Sequence, residues 1–208
     1  SRALELIPHL QKYCELKVLC SGSNSQLDLG FPLDYHFKGI SFSYNKQGGL
    51  SYWQSFRNAR FWRFKKEVDQ LDLSTFDLIL NDFEPVSAYA AKKSKVPLIG
   101  LSHQAAFLSP KTPRPKAKNL FAEWVFRNYA PCSKATAFHF EAYDDFIQYP
   151  ILRSKVKGWK LSQAGKYLVY LPAYNEQSLK QLLSQVKEAE WLIFSKECKE
   201  DYHFQNLE

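Results

Sequence analysis

Short apolar runs alternate with segments of helical period along this chain, and the runs end in polar clusters. The clearest stretch is residues 76–106, FDLILNDFEPVSAYAAKKSKVPLIGLSHQAA. Leu78-Ile79-Leu80 reads as a strand that stops at Asn81-Asp82-Phe83-Glu84. A helix starts at Pro85, whose missing N–H costs nothing in a first turn. Ala88, Ala90 and Ala91 let that helix lie close on a sheet. Residues 96–101 form the next apolar run and end in Ser102-His103-Gln104. Two strands bracketing one helix make a βαβ unit, which requires parallel pairing. Both polar clusters then sit at strand carboxyl ends, where open α/β sheets hold their ligands. Asp82, Glu84, Ser102, His103 and Gln104 are therefore expected to converge on one crevice.

The pattern extends in both directions. Residues 3–13 have helical spacing, with Pro8 late for a first turn, so that helix starts earlier or is kinked. A strand is expected over 16–20, a polar loop over 21–25 and a second strand within 35–44, near 39–42. Residues 50–68 read as a long aromatic helix, packed on the sheet or lending rings to an acceptor groove. Three prolines make 109–115 an irregular loop. A helix over 119–129, a strand over 135–142 and a short helical turn over 144–148 follow. After a basic connection the pattern restarts: a buried strand over 167–171, the loop Pro172-Ala173-Tyr174-Asn175, a helix over 178–187 capped near Asn175 or Ser178, and a strand over 191–194. The fold class is α/β. A Rossmann-like parallel-sheet domain is expected over 1–150, a basic interdomain linker over 151–165, and the beginning of a second Rossmann-like domain over 166–208.

Composition changes this picture in three places. The chain has 208 residues, nearly half of them hydrophobic, enough for a core without disulfides. Cys14, Cys20, Cys132 and Cys198 show no CxxC spacing, so free thiols and a reducing cytoplasm are expected. No apolar run reaches the roughly 18 residues of a membrane span, and no signal-peptide pattern is visible. The chain lacks methionine, opens inside a helical pattern and stops on Leu207-Glu208, as a piece of a longer protein would. The net charge of +7 gathers at Lys111, Arg114, Lys116 and Lys118, and at Arg153, Lys155, Lys157, Lys160 and Lys166. Such patches attract phosphorylated ligands, nucleic acid or anionic lipid, or form a solvated face. No RRM or helix-turn-helix signature is present, and no nucleic-acid partner is expected.

Three segments, DLILNDFEPVSAYAAKKSKVPLIGLSHQAAFLSPKTPRPK, APCSKATAFHFEAYDDFIQYPILRSKV and YLVYLPAYNE, resemble a bacterial and archaeal family of GT-B glycosyltransferases. These are distant relatives of the lipid-linked N-acetylglucosaminyltransferase MurG. The resemblance implies sugar transfer from a nucleotide-sugar donor, better guessed as a UDP-sugar, to a glycan or lipid-linked acceptor. It implies no metal and no cofactor beyond the nucleotide-sugar co-substrate. Asp82-Phe83-Glu84 is only superficially like the Asp-x-Asp of metal-dependent GT-A enzymes. The implied location is cytoplasmic, with an anionic membrane surface as partner on the cytoplasmic face through the basic loops. In such proteins a first strand and a Gly-x-Gly-His loop precede a segment like Ser1-Arg2-Ala3, and most of a donor lobe follows. These 208 residues alone are not expected to be a competent enzyme.

Within that frame Asp82, Glu84 and His103 are the catalytic candidates, since transfer needs a base for the acceptor hydroxyl. Strand alternation would point Asp82 and Glu84 to opposite sides. Alternatively Asp82 caps the next helix and Glu84 sits in its first turn. His103 suits proton transfer or contact with a hydroxyl or phosphate, or is a loop histidine bonded to backbone. His139 reads as structural, and His9 and His36 carry no signal. Ser102 and Gln104 are substrate-binding candidates. By the resemblance, Pro172, Ala173, Tyr174 and Asn175 face the donor diphosphate, where helix-end N–H groups suit an anion. Arg153, in Pro150-Ile151-Leu152-Arg153, resembles a Pro-x-x-Arg step at the domain crossover, or is a solvated arginine. The other functional reading is a non-catalytic sugar- or nucleotide-binding module of the same ancestry.

Overall fold

The computed structural model describes residues 2–22, 30–40, 60–117, 119–160, 165–171 and 174–195. The chain divides into two compact units, Ser1–Ser41 with Arg60–Gly158, and Phe42–Ala59 with Trp159–Glu208.

The first unit begins with α1 (Ala3–Leu10), β1 (Leu19–Ser21), β2 (Tyr35–Phe37) and α2 (Phe61–Gln70). It continues through β3 (Ile79–Asn81), α3 (Pro85–Ser94), β4 (Leu98–Gly100) and a 3-10 helix (Gln104–Leu108). Then come α4 (Leu120–Asn128), β5 (Lys134–Ala135), β6 (Ala137–Phe138), β7 (Ile147–Gln148) and the single turn α5 (Ser154–Lys157). Every described strand pair is parallel: β1 with β2, β3 with β4 and β4 with β5, and β6 with β7. Ile79 faces Leu98 and Asn81 faces Gly100, so β3 and β4 end level with each other.

The βαβ unit forms for local reasons. Pro85 occupies the first turn of α3, and the Glu84 carboxylate caps it. At the other end Lys95 adopts the left-handed region, φ 60°, and closes the helix. Val86, Ala88, Ala90 and Ala91 are buried and share one core with Val68, Leu71 and Leu73. Small side chains on α3 let it approach the strands, while α2 supplies the larger groups. Glu67 of α2 is buried, and its carboxylate takes the backbone N–H groups of Lys38 and Gly39 at 3.2 and 2.9 Å. A second, smaller core gathers Ala105, Ala106, Ala137 and Ile147 beneath the 3-10 helix.

Several expected boundaries move. The second strand, expected within 35–44, is Tyr35–Phe37 and ends before Gly39, which takes φ +57° and turns its N–H to Glu67; residues 41–44 lie outside the described residues. The first strand is displaced to Leu19–Ser21. The helix of α1 stops at Leu10 and carries Pro8 inside it. The strand expected over 135–142 is two short strands in different sheets, with Thr136 at the changeover. The turn at 144–148 closes through an Ile147 N–H to the Asp144 carbonyl, but Ile147 and Gln148 then pair with β6. The basic segment expected as a linker contains α5, whose Ser154 donates to Glu5 of α1. Of the aromatic helix expected over 50–68, residues 50–59 lie outside the described residues.

In the second unit β8 (Lys166–Val169) pairs in parallel with β9 (Glu190–Ile193) across α6 (Glu176–Leu183). Asn175 caps α6 by accepting from the Ser178 N–H at 3.2 Å. Leu179 of α6 and Ala189 before β9 are the buried hydrophobic residues of this unit among those described. Tyr167 and Leu168 are 60% and 66% exposed, so β8 is not the buried strand its apolar run predicts.

Candidate functional site

A small crevice opens at the carboxyl ends of β3 and β4, about 220 Å³ of empty space including its mouth. Asn81 and Phe83 line it from the end of β3 and the turn after it, Gly100 and Ser102 from the end of β4 and the turn after it, and Phe126 and Cys132 from the far side. Of the five residues expected to converge there only Ser102 is in its lining; Asp82, Glu84, His103 and Gln104 are not. Gly100 is required by the close approach of Cys132: a Cβ there would lie 2.7 Å from the thiol sulfur. Burial pushes the Cys132 thiol pKa up, against a smaller opposing effect of its bond with the Gly100 backbone.

The turn after β3 is closed by its own side chains. Asn81 is buried; its amide donates to the Glu84 carbonyl at 2.7 Å and to Ser87 Oγ at 2.9 Å. Its oxygen accepts from the Glu84 N–H at 3.1 Å. Phe83 is forced to φ +54° between them and lays its ring against Tyr129, 4.9 Å away. Glu84 then accepts four hydrogen bonds: from the Val86 and Ser87 N–H groups at 2.7 Å each, and from the Ser87 and Ser21 hydroxyls at 2.6 Å each. Ser21 ends β1, so this carboxylate ties the end of one sheet to the start of α3. Asp82 does not cap the helix. It turns outward and pairs with Arg2, at 2.5 Å from one carboxylate oxygen and 3.3 Å from the other.

The cluster after β4 divides in the same way. Ser102 is buried, and its hydroxyl accepts from the Ala105 N–H at 3.0 Å to start the 3-10 helix. Gln104 is the first residue of that helix and is half-buried. His103 Nδ1 lies 2.7 Å from the Phe138 carbonyl. A carbonyl only accepts, so Nδ1 carries a proton. Among the described residues Nε2 has no protein partner, and it is not sealed from solvent. The His103 ring stacks on His139 at 5.0 Å and 21°, with Phe107 edge-on at 5.9 Å.

Two arginines and one histidine that were not among the expected site residues pack around His103 and its aromatic neighbours. Arg2, held by Asp82, also lies over the Phe138 ring at 5.5 Å. Arg114 lies over Phe107 at 4.9 Å and pairs with Glu123 at 2.7 Å. It also donates to the Phe107, Ser109 and Thr112 carbonyls, which pins the proline-rich loop. His139 enters through its stack on His103. The sequence signal was available for His139, between Phe138 and Phe140; nothing local marks Arg2, which comes from 80 residues away.

The remaining candidates lie elsewhere. Arg153 is exposed and precedes α5 without a side-chain cap bond. Asn175 and Tyr174 stand at the amino end of α6 in the second unit, with the Tyr174 N–H donating to the Leu171 carbonyl. Pro172 and Ala173 lie outside the described residues. Among the described residues no three His, Cys, Asp or Glu side chains gather where a metal would sit, and no helix is long and apolar enough to cross a membrane.

No curated protein and no solved structure matches the chain. One family model, described as glycosyl transferase family 1, matches residues 1–208. That match runs through both units and every element described above, and the chain accordingly belongs to glycosyl transferase family 1, whose members transfer a sugar from a donor to an acceptor.

Proposed function

We propose that this protein is a MurG-like GT-B glycosyltransferase that moves a sugar from a UDP-sugar to a lipid-linked or glycan acceptor, with His103 as the base. The acceptor oxygen attacks C1 of the donor sugar. The C1–O bond to the diphosphate breaks and the diphosphate leaves with the electron pair. The acceptor's proton passes to His103 Nε2.

The observation that carries this reading is the bond from His103 Nδ1 to the Phe138 carbonyl. It fixes the tautomer whose lone pair sits on Nε2, at the carboxyl ends of the strands. The two carboxylates are less suited. Glu84 has both oxygens committed to four donors, and Asp82 is paired with Arg2. Both act as positioning groups in this reading. Ser102 and Gln104 hold the histidine loop against the acceptor. The donor-side candidates in this reading are Tyr174 and Asn175, at the amino end of α6, together with Pro172 and Ala173 of the same loop, and Arg153, all taken from the family resemblance. No metal or cofactor takes part. The protein acts at the cytoplasmic face of a membrane. Support for that location comes from α4, which exposes Leu120 and Trp124 at 80% and 57% while its other side lines the crevice with Phe126.

The test is transfer from a panel of UDP-hexoses to a lipid extract and to soluble glycans, comparing the wild type with His103→Gln. The expected result is a fall in kcat of about 10²–10⁴, the usual worth of a positioned base, with little change in acceptor KM. Equal rates would remove His103 from the chemistry. Donor binding without turnover by the wild type would return the non-catalytic binding module.

A further inference from the structure

We infer that Arg114 is a positioning residue: it fixes the Phe107 ring between the crevice wall and His103, and so sets where the His103 ring stands. Its consequence for turnover rests on the part proposed above for His103. In the sequence Arg114 belongs to a basic cluster with Lys111, Lys116 and Lys118, which reads as a contact for an anionic ligand.

The hydrogen bonds of Arg114 argue against that contact. A guanidinium has five N–H donors in a planar fork and no acceptor. Here every one is used inside the protein. Nε donates to one Glu123 carboxylate oxygen at 2.7 Å, and Nη2 to the other at 3.4 Å. Nη2 also donates to the Phe107 carbonyl at 2.6 Å. Nη1 donates to the Ser109 and Thr112 carbonyls at 3.3 and 2.5 Å. The fork therefore has no N–H left for a phosphate. The carbonyls need it in turn. In a further 3-10 turn the Phe107 carbonyl would accept from residue 110, but that is Pro110, which has no N–H.

What the fork holds is the Phe107 side chain. The guanidinium carbon lies over the Phe107 ring at 4.9 Å, and the Phe126 ring stacks on it at 4.5 Å and 13°. Together they fix the ring plane. The ring then stands edge-on to His103 at 5.9 Å and 89°, and to His139 at 6.4 Å and 83°. Phe126 lines the crevice and His103 does not, so Phe107 is the ring that joins the two. Glu123 and Phe126 lie three residues apart on α4 and share a face. His103 precedes the 3-10 helix that contains Phe107. Arg114 thus clamps the far end of the histidine's own helix to the helix that forms the crevice wall.

The test is NMR of the labelled protein, reading the carbon-bound ring protons of His103, beside transfer kinetics. Ring currents from Phe107 shift those protons. In Arg114→Ala they should move towards their unstructured positions. Millimolar guanidinium chloride, far below denaturing concentrations, should bring them back by refilling the hole. Arg114→Lys keeps the charge but should also move them, because an ammonium cannot reach the partners of a planar fork. In transfer, kcat of Arg114→Ala should fall about 10²-fold, the cost of a misplacement of about 1 Å, with acceptor KM unchanged and with rescue by guanidinium. Unmoved His103 signals in the folded alanine variant overturn the inference. So does a KM that rises at constant kcat, which marks a direct substrate contact. Should the alanine variant not fold, Arg114→Lys keeps the stem and is read in its place, and unmoved signals there overturn the inference equally. If the signals move and guanidinium restores them but His103→Gln still turns over, the positioning of the ring stands and the assignment of the base falls.

Discussion

Glu84 is a carboxylate that the fold has used up. Four donors converge on its two oxygens, two from the first turn of α3 and two hydroxyls, one of them from the end of β1. Glu84→Gln replaces one acceptor oxygen with an NH2 group that faces donors. Hydrogen bonds to a charged group contribute about 1.5–3 kcal/mol each, and an orphaned partner costs more than a balanced removal. The variant should lose about 2–3 kcal/mol, read as a lower urea midpoint at unchanged slope. An unchanged midpoint would show that the cap contributes nothing. The sequence announced an acidic pair with a capping duty but assigned the duty to Asp82. The order is reversed because Phe83 at φ +54° turns the chain between them, and a left-handed Phe leaves no mark in a hydropathy pattern. Gly100 gives a second prediction. Gly100→Ala pushes a methyl to 2.7 Å from Cys132 Sγ and should cost about 1–3 kcal/mol as overpacking. Adding Cys132→Ala removes the clashing sulfur, so the double variant should recover most of that loss in a double-mutant cycle. Simple additivity of the two changes would mean that the contact is not what holds Gly100.

At the scale of elements, legibility follows the length of the repeat. The helices α3 and α6 were expected from a start signal, Pro85 for one and a cap near Asn175 or Ser178 for the other; the structure adds the caps at Glu84 and, for the helix expected over 119–129, at Asn119. The strands β5, β6 and β7 have two residues each, too few to show a period, and the pattern merged two of them into one. The 109–115 loop was correctly read as irregular, but not what orders it. Ser109 donates to Asp144 at 2.7 Å, and Lys111 pairs with the same carboxylate at 3.0 Å. Those contacts, the Ser109 hydroxyl first and Lys111 after it, hold the Asp144 carboxyl below the usual carboxylate range. A folded-state pKa lowered in this way adds stability above the unfolded value, about 3.9. The contribution fades as pH falls through the lower folded value. Wild type should therefore exceed Asp144→Asn in thermal stability at pH 7, and the gap should close progressively below about pH 4. A gap constant with pH would place the effect of Asp144 outside its charge.

At the scale of the whole molecule, the net charge of +7 was legible and its disposition was not. Lys111 and Arg114, two of the cations in the first basic cluster, are spent internally on Asp144 and Glu123. What faces solvent near them is an apolar surface: Leu120, Phe121 and Trp124 on one side of α4, with Phe121 and Trp124 stacked at 6.0 Å. Arg127 falls on that same side, three residues beyond Trp124 and seven beyond Leu120, and exposed Lys116 precedes the helix. The only acidic residue of α4, Glu123, is held by Arg114. Apolar groups rimmed by unopposed cations match an anionic bilayer surface, where each cation contributes about 1 kcal/mol and each buried CH₂ about 0.8 kcal/mol. Sedimentation with anionic vesicles should exceed that with zwitterionic ones and weaken with salt. Replacing Leu120 and Trp124 with serine should lower partitioning at least tenfold, since two large side chains lose their burial. Arg127→Glu should remove the preference for anionic lipid while leaving the residual apolar binding. Equal sedimentation of all variants would strip α4 of this role. A drop in oligomeric mass of the serine variant without vesicle binding by the wild type would make the face a contact between protein chains.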